Sequence, residues 1–232
     1  MKKYKPINIR FGKDIKKQFE DKILKNYKTL KCCGKAQKEF KNSLFVGYAR
    51  HVEREDEAKA FIKEIKELHR DANHNVSAYI IKEKSSFAIK YDDDGEPAGS
   101  SGKPVFKILE SKEILNAVVV VTRYFGGIKL GFGGLSRAYR GTALSAIEDA
   151  EVIEVFEQVR LRVHLRYTES QKVRNLIEKY GTVEEEMYSD TVEFTLLVRK
   201  ELEDEFVKKV KDQTKNRVEI ERLELNQQKR TF

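Results

Sequence analysis

Residues 116–141 read NAVVVVTRYFGGIKLGFGGLSRAYRG and contain the features that decide the fold. The run NAVVVVT is continuous and rich in β-branched residues, which is typical of a strand covered on both faces. From about Leu135 the apolar residues follow helical spacing, which predicts an amphipathic helix. The predicted buried stripe of this helix consists of Leu135, Ala138, Tyr139, Thr142, Ala143, Ala146 and Ile147. The stretch therefore predicts a buried strand joined to a helix.

The connection between this strand and helix is rich in glycine and positive charge. Residues 122–141 hold six of the thirteen glycines of the chain, together with four basic side chains. Glycine allows close approach to the backbone, and Arg and Lys bind anions. Unpaired N–H groups at a helix start add to this attraction. The candidate anion-binding residues are Arg123, Gly126, Gly127, Lys129, Gly131, Gly133, Gly134, Arg137 and Arg140. The alternative is a tight turn that packs strand against helix, with solvent-facing arginines. Neither the Walker loop nor the dinucleotide fingerprint is complete here.

The hydrophobic patterns on either side predict two α/β domains. Before the opening stretch, helices are predicted over 13–27, 54–70 and near 104–110, and strands over 43–52, 75–82 and 85–91. After about Glu151 the order β-α-β-β-α-β occurs within about seventy residues, as in the ferredoxin-like split unit. We therefore expect a basic extension over 1–26, an N-terminal domain over 27–152 and a ferredoxin-like domain over 156–232.

The charge of the chain is concentrated near its start. The net charge is +8, whereas residues 1–41 alone hold fourteen basic and four acidic residues. Such a basic segment favours a polyanion partner, although a solvated Lys-rich segment is the simpler alternative. No apolar run approaches the roughly 20 residues that span a bilayer, and no signal peptide is recognisable. The two adjacent cysteines, Cys32 and Cys33, predict reduced thiols and a cytoplasmic location. The lack of a spanning run predicts no membrane partner.

A second cluster of functional residue types is acidic. Asp93, Asp94 and Glu96 lie in the breaker-rich segment DDDGEPAGSSGKP (92–104), and His74 lies in DANHN (71–75). Paired carboxylates bind divalent cations or divide acid and base roles, and histidine serves as a base or an anion contact. These four residues are the candidate catalytic residues, and the three acids are the candidate Mg²⁺ ligands. The alternative is a solvated acidic turn, and the residues by themselves demand no cofactor.

Three blocks together resemble the IMPACT family, including its bacterial YigZ-type proteins. They are DANHNVSAYII (71–81), DDDGEPAGSSGKP (92–104) and the opening stretch. The resemblance runs from about Tyr27 to Ala150, and the YigZ-type second domain follows. It implies a first domain like the second domain of a ribosomal small-subunit protein and like domain IV of elongation factor G. It implies a ferredoxin-like second domain similar to domain V of that factor.

Three functions are open at this point. The resemblance implies a nucleic-acid or ribosome-linked role in translation or its regulation, by analogy of fold. We therefore predict binding of RNA, tRNA or the ribosome through the glycine- and arginine-rich turn. The first alternative is a metal-dependent hydrolase acting on a phosphate-bearing substrate. The second is an adaptor that regulates translation through protein partners alone.

Overall fold

The computed structural model describes residues 26–83 and 86–224. The predicted basic extension and the helix predicted over 13–27 lie outside these residues, except that Asn26 and Tyr27 begin the first strand. The chain divides into two compact units, and the division falls between Val155 and Phe156.

The first unit is built around a five-stranded sheet in the order β2-β3-β6-β4-β5, in which all neighbours are antiparallel. A separate two-stranded sheet pairs β1 with β7. The elements are β1 (Asn26–Leu30), β2 (Gly34–Phe40), β3 (Ser43–His51), α1 (Glu55–Leu68), β4 (His74–Lys82), β5 (Phe87–Asp92), α2 (Gly102–Ser111), β6 (Ala117–Tyr124), α3 (Gly131–Asp149) and β7 (Val152–Phe156).

Strand β6 is the centre of this sheet and is covered on both faces. Val118 and Val120 pack in one cluster with Phe61 and Ile65 of α1. The other face carries α2 and α3, and α3 contacts β2, β3 and β6. Each fully buried valine contributes roughly 1.5–3 kcal/mol relative to exposure. The prediction of a strand buried on both faces is confirmed, and so is the predicted buried stripe of α3.

Some elements differ from the sequence-based expectation. Helix α3 begins at Gly131 rather than near Leu135. The sequence pattern does not indicate this earlier start, because three of the four residues in the first turn are glycines, which weaken any helical pattern. Strand β2 was not predicted, since its sequence GKAQKEF is mostly polar. It is an edge strand, where exposed polar and charged side chains are common.

The second unit has the ferredoxin-like βαββαβ order, which confirms the predicted fold class. Its antiparallel sheet has the order β11-β8-β10-β9. The elements are β8 (Gln158–Leu165), α4 (Tyr167–Tyr180), β9 (Gly181–Tyr188), β10 (Val192–Arg199), a 3₁₀ turn (Lys200–Leu202), α5 (Glu203–Gln213) and β11 (Glu219–Leu223).

The sheet of the second unit has one buried face and one charged face. The alternate residues of β8 from Val159 to Leu165 lie in a core with Val173, Ile177 and Phe206. On the other face of the sheet, charged residues form ion pairs. The pairs are Arg160–Glu184 at 2.6 Å, Arg162–Glu193 at 3.2 Å and Arg162–Glu221 at 3.3 Å. The positive charges of this face are therefore balanced by neighbouring carboxylates.

Candidate nucleic-acid interface

The connection between β6 and α3 is held against the β2–β3 hairpin. Gly126 approaches the hairpin so closely that a Cβ there would stand 1.9 Å from the carbonyl oxygen of Asn42. The N–H of Gly126 donates to Ser43 Oγ at 3.1 Å, and the N–H of Phe125 donates to Asn73 Oδ1 at 2.7 Å. The start of the turn is therefore fixed by sequence-distant side chains.

The turn leads directly into the N-terminus of α3. Gly127 has φ +84, a left-handed conformation that favours glycine, and Gly131, Gly133 and Gly134 all lie in the first turn of the helix. Helix geometry leaves the first N–H groups without intrahelical partners. Among the residues that the structure describes, no side chain caps this end. The N–H groups at 130–133 thus have no side-chain cap among the described residues and lie at the positive end of the helix dipole.

Three exposed basic side chains accompany this helix start. Lys129 lies in the turn, and Arg137 and Arg140 lie three residues apart on α3. In the described parts of the chain, none of the three takes part in a hydrogen bond or an ion pair. The Nη1 atom of Arg137 lies 3.6 Å from the position that a Cβ of Gly133 would occupy, so its guanidinium lies beside the first turn. Within the described residues, the charges of all three are unmatched.

Large apolar side chains are exposed in the same segment. The exposed fractions are 45% for Phe125, 46% for Ile128 and 59% for Phe132. We call the three apolar and three basic side chains, with the backbone of residues 126–134, the glycine-turn surface. Its members are Phe125, Ile128, Lys129, Phe132, Arg137 and Arg140. Sequence reasoning did not single out the apolar members, because an isolated Phe or Ile beside a turn does not reveal its exposure.

Arg123 is placed differently from the other candidate anion-binding residues. It is only 5% exposed, and its Nη1 donates to Glu96 Oε1 at 2.7 Å. The guanidinium also contacts the rings of Phe45 and Phe125, at 5.5 and 5.2 Å from their centroids. Its charge is already matched by a buried carboxylate. Arg123 therefore supports the turn from beneath instead of facing a ligand.

Glu96 joins several elements in one buried cluster. Its Oε1 also accepts a hydrogen bond from the Tyr139 hydroxyl at 2.8 Å. Burial and the adjacent carboxylate raise the pKa of Tyr139 far above its ordinary value, so the phenol keeps its proton. His74 Nδ1 donates to the carbonyl of Asp94 at 2.8 Å, and its Nε2 lies 3.9 Å from Glu96 Oε1. The cluster ties α3 and the β5–α2 loop to the sheet.

The two aspartates have structural partners. Asp93 Oδ1 accepts from the N–H groups of Ser101 and Gly102 and from the Ser101 hydroxyl, and its Oδ2 accepts from the N–H of Gly99. Asp94 pairs with Lys66 at 2.6 Å and accepts from the N–H of Asn75. Asp93 therefore organises the loop before α2, and Asp94 ties this loop to α1 and β4.

The arrangement of these acids does not fit a Mg²⁺ site. Mg²⁺ needs carboxylate oxygens free to coordinate it, whereas the oxygens of Asp93 and Asp94 already accept hydrogen bonds from N–H donors. Across residues 26–83 and 86–224, no group of three or more His, Cys, Asp or Glu side chains is arranged to hold a metal ion. The structure thus brings His74, Asp93, Asp94 and Glu96 into one region but engages them with protein partners.

A hydrogen-bonded chain lies at the end of β6, next to the turn. The Tyr124 hydroxyl donates to Asp71 Oδ1 at 3.2 Å, so it accepts from His69 Nδ1 at 2.7 Å. His69 Nε2 in turn accepts from the Tyr48 hydroxyl at 2.6 Å. Burial, helped by the charge of Lys35 and opposed by that of Asp71, lowers the pKa of His69. The histidine is therefore neutral at pH 7 and braces the last residue of β6.

Comparison with known proteins assigns the chain to a family. A family model described as the Impact N-terminal domain matches residues 41–147, and a model described as a domain of unknown function, DUF1949, matches residues 163–217. The chain is 35% identical over 204 residues to the IMPACT family member YvyE of Bacillus subtilis, which covers 88% of this chain and 94% of that relative. This chain belongs to the IMPACT family.

Other IMPACT proteins match parts of the chain. The YigZ protein of Escherichia coli is 38% identical over 110 residues, 47% of this chain and 54% of that relative. A solved crystal structure of a hypothetical protein aligns with a TM-score of 0.55 and 26% identity, over 87% of this chain and 98% of its own. A structure described as the two-domain translational regulator Yih1 aligns at a TM-score of 0.32, too low to support a conclusion.

No helix in the described residues has the length and apolar character to cross a membrane.

Proposed function

We propose that this protein binds RNA, as tRNA or as part of the ribosome, through the glycine-turn surface and acts in translation or its regulation in the cytoplasm. One observation carries the proposal. Three exposed cations that have no partner in the described parts of the chain lie beside a helix start whose N–H groups are uncapped. Guanidinium and ammonium groups together with backbone N–H donors match the oxygens of phosphate groups.

A polymer of phosphates fits this surface better than a single small anion. Lys129, Arg137 and Arg140 are spread over twelve residues of turn and helix, and all three side chains are exposed. The chain also has a net charge of +8, which attracts polyanions at long range. Such an open basic surface is suited to several successive backbone phosphates.

The role in translation rests on family membership. The resemblance to the IMPACT family implies two domains similar to domains IV and V of elongation factor G, and this analogy of fold implies a ribosome-linked role. The charged sheet face of the second unit is a weaker candidate for RNA contact, since its arginines are paired with carboxylates. The first unit is therefore expected to make the principal RNA contacts.

Binding without catalysis is preferred to the metal-dependent hydrolase. The hydrolase needs Asp93, Asp94 and Glu96 to present free oxygens to a metal or a water molecule. Their oxygens instead accept from loop N–H groups, Lys66, Arg123 and Tyr139. Within residues 26–83 and 86–224, no observation separately favours the hydrolase.

The test is RNA binding by the purified full chain, measured by fluorescence anisotropy with labelled tRNA and by co-sedimentation with ribosomal small subunits. Arg137→Ala/Arg140→Ala removes two cations of the glycine-turn surface. Lys59→Ala/Lys63→Ala is the control, since it removes two exposed cations of α1, which packs on the opposite face of the sheet.

The two double variants have different expected results. Each phosphate contact contributes about 0.7–0.9 to the slope of log affinity against log salt. Arg137→Ala/Arg140→Ala is therefore expected to weaken binding and to reduce this slope by about 1.4–1.8. The control is expected to bind nearly as the unmodified chain does. A flat salt response, or equal losses in the two variants, contradicts the proposal.

A further inference from the structure

We infer that the glycine-turn surface binds single-stranded RNA, with Phe132 and Phe125 as stacking platforms for unpaired bases. The inference rests on the proposed function and names the form of RNA. Phosphate binding alone requires only cations and N–H donors. It leaves unexplained why the same segment exposes two phenyl rings and an isoleucine, at 45–59% of their surface. These rings are a second observation, independent of the charges.

Phe132 is positioned as a platform. It lies in the first turn of α3, so its backbone is fixed by the helix while more than half of its side chain is open to solvent. Phenylalanine has no hydrogen-bonding group in its side chain, so an exposed ring offers only its apolar faces and edges. Bases stack on such rings with little dependence on sequence, because every base has a π-face.

Phe125 is held in place by the buried cluster beneath it. Its N–H is bonded to Asn73, and its ring lies 5.2 Å from the guanidinium of Arg123. Arg123 is fixed in turn by Glu96. One side of the ring is thus supported by the protein, and 45% of the side chain remains exposed. A ring that is already immobilised loses little conformational entropy when a base stacks on it.

The combination of rings and cations selects among nucleic acids. In a duplex, the faces of the bases are covered by their neighbours, so a phenyl ring gains little from them. Loops, ends and single strands expose base faces, and proteins recognise them by stacking on aromatic side chains. Lys129 and Arg137 lie within five residues of Phe132, which places phosphate-binding charge beside the platform. The charges favour RNA over an uncharged apolar peptide as the occupant.

The experiment compares three labelled probes by fluorescence anisotropy with the full chain. They are a single-stranded oligoribonucleotide, the duplex of the same sequence, and an abasic ribose-phosphate oligomer of the same length. The variants are Phe132→Ala, Phe132→Leu and Phe132→Tyr. Leucine keeps an apolar side chain without a π-face, and tyrosine keeps the ring. Phe132 is exposed, so all three variants are expected to unfold as the unmodified chain does, which circular dichroism checks.

Stacking predicts a specific pattern. Phe132→Ala and Phe132→Leu should weaken binding of the single strand about tenfold, and Phe132→Tyr should retain it. All three should leave duplex and abasic binding within about twofold, since the phosphate contacts are unchanged.

Other patterns overturn the inference. If the duplex binds as tightly as the single strand and Phe132→Ala has no effect, while Arg137→Ala/Arg140→Ala still weakens both, the proposed function stands and stacking fails. If no probe binds in a salt-dependent manner, the proposed function fails as well. If Phe132→Ala abolishes ribosome co-sedimentation but not RNA binding, the rings contact a ribosomal protein and the inference is wrong.

Discussion

Arg123 and Glu96 form an ion pair of 2.7 Å in which the two side chains are only 6% and 3% exposed. The pair joins the end of β6 to the loop before α2, and Tyr139 adds a bond from α3 to the same carboxylate oxygen. Arg123, the basic residue of β6 itself, is thus neutralised by Glu96 inside the protein. The proposed RNA contacts therefore fall to the cations farther along the turn.

Replacing Glu96 by glutamine tests the importance of this pair. The change leaves the Arg123 charge buried without its counter-ion, and breaking a buried pair in this way typically costs 3–5 kcal/mol. Because glutamine can still accept a hydrogen bond, we expect a loss of about 3 kcal/mol in the free energy of unfolding, measured by urea denaturation. Glu64→Gln removes a surface partner of Arg50 and should cost less than about 1 kcal/mol. If both variants lost the same free energy of unfolding, the buried Arg123–Glu96 pair would be no more important for stability than the exposed Arg50–Glu64 pair.

The turn glycines differ in what a methyl group would meet. Gly126→Ala would place a Cβ 1.9 Å from a backbone oxygen, so the hairpin or the turn must shift, at a cost of about 2 kcal/mol or more. Gly133→Ala meets only the flexible end of Arg137, at 3.6 Å, and lies in a helix. Alanine there should raise stability by up to about 0.5 kcal/mol. Thermal unfolding of both variants checks this ranking, and a stable Gly126→Ala protein would contradict the close approach.

The fold followed from the sequence where side chains repeat at regular intervals. The β-branched run of β6 and the alternating residues of β8 report burial directly, since the faces of a strand alternate with every residue. Strand β2 and the first turn of α3 gave no such signal. An edge strand needs few apolar residues, and a glycine-rich first turn has almost no side chains to form a pattern.

The candidate site was predictable in location but not in roles. The residues from Gly126 to Arg140 could be grouped from the sequence, since they follow one another along the chain. The sequence did not reveal that Arg123 points into a cluster with Glu96, twenty-seven residues earlier, because that depends on packing between distant elements. The exposure of Phe132 was equally hidden, since phenylalanine is among the residue types most often buried.

Asp93→Asn distinguishes a structural role from metal binding. The carboxylate of Asp93 accepts four hydrogen bonds, three of them from N–H groups, and an amide would turn an N–H donor towards one of them. We expect a loss of about 2 kcal/mol in the free energy of unfolding. Asp190→Asn, in an exposed turn of the second unit, should have little effect. Stabilisation of the unmodified chain by MgCl₂ that disappears in Asp93→Asn would instead support a metal site.

Stability is expected to fall in mild acid because of His69. Its pKa is lowered from the ordinary value of 6.5, so the folded state binds fewer protons than the unfolded state. The contribution of His69 to the free energy of unfolding is therefore complete above about pH 6.5. It is lost as the pH falls through the lower pKa of the folded state. Urea midpoints of the unmodified chain and of His69→Gln, measured between about pH 7.5 and 5, should converge in acid. Parallel curves for the two proteins would show that His69 does not titrate in this range.

The paired arginines of the second unit predict a contrast with those of α3. Arg160→Ala/Arg162→Ala removes the same charge as Arg137→Ala/Arg140→Ala, but Arg160 and Arg162 are already matched by Glu184, Glu193 and Glu221. A paired cation has little charge left for a phosphate, and salt screens charges beyond about 8 Å at 0.15 M ionic strength. We therefore expect tRNA affinity to change by less than about twofold in the sheet variant and severalfold more in the α3 variant. Anisotropy titrations at that ionic strength test this contrast. An equal or larger loss of affinity in the sheet variant would place the RNA on the ferredoxin-like sheet.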